Sequence, residues 1–174
     1  PTDDKIALVN ALSNAGLSKI EVTSFTSPTA IPALKDAEMV MREITRRPGT
    51  VYSALVPNVR GAERAIEART DELNLVMSAS ETHNISNLRM TREQSFASLA
   101  QVVATAQAAQ VAVNVSLSCV FGCPMEGNVH ASAVFDWVQR FADLGVRGIT
   151  LCDTTGMAYP TQVHQLTTAA RARW

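Results

Sequence analysis

Five short runs rich in β-branched and apolar residues recur along the chain: KIEVTSF (19–25), TVYSALV (50–56), DELNLVM (71–77), VAVNVSLS (111–118) and RGITLCD (147–153). Each is followed by a stretch whose apolar residues fall three and four apart, which is helical spacing. Leu8 and Leu12 precede Gly16 in this way, and Val134, Val138 and Phe141 precede Gly145; both glycines stand where a helix can close in a left-handed residue. Start signals are Asn58 after Pro57, and Thr91 with Gln94 in the capping box TREQ. The order is therefore a helix followed by five strand–helix repeats, and such alternation implies a parallel sheet with right-handed crossovers.

Two architectures fit that order, a doubly wound open sheet or part of an eight-stranded (β/α)8 barrel. No strand leads into a GxGxxG or Walker loop, which weighs against the nucleotide-binding open sheet. Alternate residues of a strand face opposite sides. In VAVNVSLS, Val113, Val115 and Leu117 share one side while Asn114, Ser116 and Ser118 share the other. In IEVTSF, Glu21 and Thr23 likewise oppose Ile20 and Val22. A strand covered by helices on both faces is apolar on both, whereas a barrel strand can turn polar groups inward. The expectation is a partial TIM (β/α)8 barrel, one incomplete catalytic domain over residues 1–174.

The 174 residues are 47% hydrophobic, enough for a core, and carry 15 basic against 16 acidic side chains. Near-neutral charge gives no electrostatic basis for binding nucleic acid or an anionic membrane, which leaves small-molecule chemistry. No apolar run approaches the length of a membrane span. Three cysteines are an odd number and read as free thiols in a reducing compartment, taken here as the cytoplasm. Pro1 lies inside one helical pattern and Trp174 inside another, so a fragment of a longer protein is expected.

In either architecture reactive groups gather at the C-terminal ends of strands. The polar residues there are Glu21, Ser24, Ser78, Ser80, His83, Asn84, Asn87, Ser118, Cys119, Cys123, Glu126, Asp153, Thr154 and Thr155. Glu21 lies within a strand, where an uncompensated carboxylate is costly, so it requires a cation, a metal or a polar pocket, or else a structural pair with lysine or arginine. Asp153 opens DTTG and is a substrate contact, or else an Asx-type turn or helix cap. The C-x3-C spacing of Cys119 and Cys123 matches neither a CxxC redox motif nor a paired zinc knuckle, and His130 and His164 read as surface-helix residues. His83 reads as a loop residue within reach of substrate. Asp36, Glu38, Glu43, Glu63 and Glu67 read as solvated helix faces.

Taken together, AGLSKIEVTSFTSP, VPNVRGAERA, SASETHN, SCVFGCPMEG and DTTGMAYP resemble the 3-hydroxy-3-methylglutaryl-CoA lyases, members of the metal-dependent TIM-barrel lyases and synthases. GCPMEG is the most specific of these stretches, since the related isopropylmalate and homocitrate synthases usually carry a different, acidic loop there. The resemblance implies retro-Claisen cleavage of 3-hydroxy-3-methylglutaryl-CoA to acetyl-CoA and acetoacetate. It also implies a divalent ion, Mg2+ or Mn2+, acting as a Lewis acid. By the same resemblance Glu21 is the acidic residue beside the metal site that positions a catalytic arginine. Asp153, with Ser24, Thr150 and Thr154, resembles the polar shell of the substrate pocket, to which His83 is added. The cysteines at 119 and 123 match cysteines of many lyases and are not the family's catalytic thiol.

Two departures qualify the resemblance. The family's arginine–aspartate pair, His-x-His metal ligands, catalytic-cysteine loop and last-strand asparagine have no counterpart in these residues. The chain then corresponds to strands two to six of the eight, holds none of the direct metal ligands, and is expected to be inactive alone, with two unpaired sheet edges that favour aggregation or partner pairing. Second, Asn114 and Ser116 stand where well-studied lyases carry an arginine and a tyrosine, so the acyl group accepted can differ. Expected partners are an acyl-CoA substrate and, at full length, further copies in a homo-oligomer; nucleic acid and membrane are not expected. The competing readings are a synthase condensing acetyl-CoA with a 2-oxo acid, and a non-catalytic barrel protein.

Overall fold

The computed structural model describes residues 1–174. All five expected strands form, as β1 (Lys19–Ser24), β2 (Val51–Leu55), β3 (Glu72–Ser78), β4 (Ala112–Ser118) and β5 (Gly148–Leu151). They make one sheet in sequence order, so β1 and β5 each have a single strand neighbour. β1 pairs with β2, and β2 with β3, in parallel. The helices are α1 (Thr2–Asn14), α2 (Ala37–Glu43), α3 (Val59–Glu67), α4 (Glu81–Leu88), α5 (Arg92–Ala108), α6 (Ala131–Asp143) and α7 (Pro160–Arg171).

The helix signals act as their chemistry requires. The Asn58 side chain accepts from the Gly61 amide at 2.9 Å, relieving one orphan donor of α3. Thr91 and Gln94 form the reciprocal capping box, at 2.9 and 3.1 Å. Gly16 and Gly145 follow α1 and α6 with φ of +85° and +78°, values that a Cβ disfavours. Two expectations need correction. β3 is followed by two helices, because the Ser80 hydroxyl caps α4 by accepting from the His83 amide at 3.1 Å; His83 is helical rather than in a loop. In α1 the buried residues are Val9 and Ser13, while Leu8 is 60% exposed, so the packed stripe is turned by one residue.

The chain divides into two compact units, Pro1–Leu75 with Ser98–Asn114, and Val76–Ala97 with Val115–Trp174. In the first, one side of the strands is buried through Ile20, Tyr52, Ala54, Leu73, Leu75 and Val113, together with Val9, Val40, Met41, Ala62, Ala65 and Val102 from the helices. Its periphery carries two carboxylates that are more than solvated faces. Asp36 accepts from Lys5 at 2.6 Å and Thr2 at 2.8 Å, and Glu38 accepts from the Arg64 Nε at 2.6 Å.

The second unit buries Met77, Val115, Leu117, Val134, Val138 and Phe141. The Phe96 ring lies 5.1 Å from Phe141 and 5.9 Å from Trp137. The Arg140 guanidinium covers Phe96 and Trp137 at 4.1 and 4.3 Å and forks onto both Glu93 oxygens at 2.7 Å. A planar cation between ring faces and a carboxylate satisfies both of its recognition modes at once.

Candidate active site

In the first unit, strand alternation sends the apolar side chains of β1, β3 and β4 to the buried side and leaves Glu21, Asn74 and Asn114 on the other. These three connect. The Asn74 Nδ2 donates to Glu21 Oε2 at 2.6 Å, and Asn114 Nδ2 donates to Asn74 Oδ1 at 2.9 Å. Glu21 and Asn74 lie on β1 and β3, two strand spacings or about 10 Å apart. On the intervening β2, Ser53 is the register partner of Glu21 and Leu55 that of Asn74, so the contact crosses that strand obliquely. Nearby, Lys19 and Glu72 form a 2.6 Å ion pair, so the lysine at the start of β1 is already committed. At the end of β1 the Ser24 Oγ is buried and has no hydrogen-bond partner.

In the second unit the SCVFGCPMEG stretch folds as a tight loop. Cys119 takes φ +57° and its amide donates to the Thr154 hydroxyl at 3.0 Å. Cys123 and Gly127 exchange backbone hydrogen bonds at 2.9 and 2.6 Å. The Ser80 hydroxyl donates to the Cys123 sulfur at 3.1 Å, and Glu126 accepts from the Thr82 amide. All three cysteines are free thiols. Burial pushes the Cys123 thiol up, but the Ser80 hydroxyl and the backbone around Met125 and Glu126 outweigh it and hold the group below the ordinary range. Burial raises Cys119 and Cys152, and the Ser116 hydroxyl partly offsets this at Cys152.

Asp153 closes its own loop: Oδ1 accepts from the amides of Met157 at 2.9 Å and Ala158 at 3.3 Å, four and five residues on, a wider closure than the two-residue reach of an Asx turn. Thr150, on β5, is exposed, and its carbonyl accepts weakly from the Cys152 thiol. His83 lies in the first turn of α4 with its Nδ1 buried and unpartnered. His130 and His164 are exposed.

Glu21 and Asn114 are thus brought together, whereas Asp153, Thr154, Ser116 and His83 belong to the second unit with contacts of their own. Asn74 is the residue that sequence reasoning missed, although a polar residue between Leu73 and Leu75 is the same signal that marked Glu21. Nowhere do three His, Cys, Asp or Glu side chains gather so as to hold a metal ion. The divalent ion implied by the resemblance has no ligand set within these residues.

The comparisons with known proteins agree on the fold. The chain is 44% identical to a curated hydroxymethylglutaryl-CoA lyase of Bacillus subtilis, over 99% of this chain and 58% of that protein. Among solved structures, an HMG-CoA lyase from Acinetobacter baumannii in complex with coenzyme A and 3-methylmalate is 48% identical with a TM-score of 0.94, covering 99% of this chain and 56% of that one. The HMG-CoA lyase structure from Bacillus subtilis gives 44% identity and a TM-score of 0.95, covering 99% and 58%. The α/β sheet is accordingly part of a TIM (β/α)8 barrel. The chain spans a little over half the length of the relatives it matches. The HMGL-like family model matches residues 1–173, and the chain belongs to that family.

Proposed function

We propose that the polypeptide carrying these residues is a carbon–carbon lyase that cleaves 3-hydroxy-3-methylglutaryl-CoA into acetyl-CoA and acetoacetate, or a related 3-hydroxyacyl-CoA into acetyl-CoA and the corresponding carbonyl compound. The observation that carries the reading is 44–48% identity over 99% of the chain to proteins named as HMG-CoA lyases, together with TM-scores of 0.94 and 0.95. These matches favour the lyase over the condensing synthase. In the reaction the tertiary hydroxyl loses its proton and the bond between C2 and C3 breaks. The electron pair passes to the thioester enolate, which takes up a proton to give acetyl-CoA, and C3 becomes the ketone of acetoacetate.

In this reading Glu21 and Asp153 each have a catalytic role. Ser24, His83, Asn114, Ser116, Thr150 and Thr154 contact the substrate. These residues supply no ligand set for a divalent ion. The three free thiols fit a reducing compartment such as the cytoplasm.

The test is acetoacetate release from 3-hydroxy-3-methylglutaryl-CoA by the full-length polypeptide with Mg2+. Glu21→Gln should lower kcat by about a hundredfold or more. Consumption of acetyl-CoA with a 2-oxo acid in place of acetoacetate release would establish the synthase instead. The 174 residues alone should not turn over substrate, and a soluble monomeric preparation of them that did so with Mg2+ would refute that.

A further inference from the structure

We propose that Asn74, backed by Asn114, is the positioning residue for Glu21, fixing which way the carboxylate faces; the kinetic part of this inference rests on the lyase reading. A glutamate has several rotors and, on an open strand face, little to choose among them. The contact from Asn74 Nδ2 to Glu21 Oε2 is 2.6 Å, at the short end of hydrogen-bond distances. It commits one carboxylate oxygen to the protein and leaves the direction of the other set.

The polarity of the chain follows from donor and acceptor inventories. An ionised carboxylate only accepts, so Asn74 must turn its NH2 toward Glu21. Its carbonyl then faces Asn114, which must in turn present an NH2, as it does at 2.9 Å. Each amide is therefore oriented by its neighbour, and the orientation originates at Glu21. The half-buried Asn74 sits between Leu73 and Leu75, both fully buried, so the backbone that carries the relay is fixed by the core. Lys19 cannot substitute for it, since its ammonium is held by Glu72 at 2.6 Å.

A positioning role predicts non-additivity. In the full-length polypeptide, Asn74→Asp, which keeps the shape but loses the donor, should lower kcat by about tenfold or more with a smaller change in KM. Asn114→Leu should also lower kcat, less strongly, with a rise in KM from the lost substrate contact. In a Glu21→Gln background, adding Asn74→Asp should change kcat by no more than about twofold. Equal losses in both backgrounds would mean a merely structural effect and would overturn the proposal.

A second arm reads the relay without turnover. In the full-length polypeptide, Glu21→Gln should shift the side-chain amide NMR signals of both Asn74 and Asn114, and unchanged signals would overturn the relay. Absence of turnover in the unmutated full-length polypeptide would sink the lyase reading, while the amide signals would still decide the relay.

Discussion

The Ser80 hydroxyl both caps α4 and donates to the Cys123 sulfur, the latter at 3.1 Å. One side chain thereby ties the loop after β4 to the helix after β3. Because burial alone would raise Cys123, the lowering of its pKa depends on that hydroxyl and the neighbouring backbone. In a chain reduced to Cys123 by Cys119→Ala and Cys152→Ala, thiolate absorbance should rise below the ordinary thiol value of 9.0. Ser80→Ala should move it upward. The linked stability is present above the unfolded thiol's pKa and is lost as pH falls through the lowered folded value. A Cys123 that ionises above 9.0 in the folded chain refutes this.

Asp36 and Glu38 should contribute to the acid limb of stability in the first unit. Hydrogen bonds from Lys5 and Arg64 hold the two carboxyls below their ordinary values of 3.8 and 4.5. A depressed folded pKa contributes stability that is present above the unfolded value and disappears as pH falls through the folded one. The melting temperature should therefore be level from neutral pH down to about pH 5 and fall below about pH 4. Asp36→Asn and Glu38→Gln should each lower it at neutral pH and flatten the acid fall. Melting curves whose acid limb is unchanged in both variants would show that other groups control it.

Alternation makes the sheet legible in the sequence: the positions of Val113, Val115 and Leu117 against Asn114 and Ser116 match the buried and half-buried sides of β4. Local chemistry makes the caps at Asn58 and Thr91 legible, because a cap needs only its own turn. The turned stripe of α1 is hidden, since burial of Val9 rather than Leu8 depends on how that helix meets its neighbours. The helical setting of His83 rests on Ser80, which the sequence marks only as a polar strand-end residue. The link from Glu21 to Asn74 joins residues 53 positions apart, and no local pattern states which strand-face residues will touch. The ion pairs of Asp36 and Glu38 escape the sequence for the same reason.

Tyr52 illustrates a buried polar group whose partners are all supplied by the protein. The residue is 1% exposed, and its hydroxyl donates to Ser13 at 3.0 Å and accepts from the Arg47 amide at 2.9 Å. Ser13 in turn donates to the Val9 carbonyl at 2.8 Å. Tyr52→Phe keeps the packing and strands the Arg47 amide, so unfolding free energy should fall by about 1–3 kcal/mol. Urea titration followed by tryptophan fluorescence measures it, and a change under about 0.5 kcal/mol would mean that the amide finds water instead.

The loop that resembles the lyases most specifically separates two glycines by their surroundings. Gly127 has φ +76° and nothing within 4 Å of where a Cβ would stand. Gly122 has φ +146°, and a Cβ there would come within 3.1–3.3 Å of three Met157 side-chain atoms, the Met157 Cβ among them. Gly127→Ala meets only the left-handed backbone cost, about 1 kcal/mol. Gly122→Ala meets a backbone region almost restricted to glycine, about 1–3 kcal/mol, and must also displace Met157. Both variants should unfold at lower urea than the parent, with Gly122→Ala clearly the lower. Adding Met157→Ala should recover part of the Gly122→Ala loss and none of the Gly127→Ala loss. Equal destabilisation of the two glycine variants, unaffected by Met157→Ala, would show that the loop relaxes away from the contact.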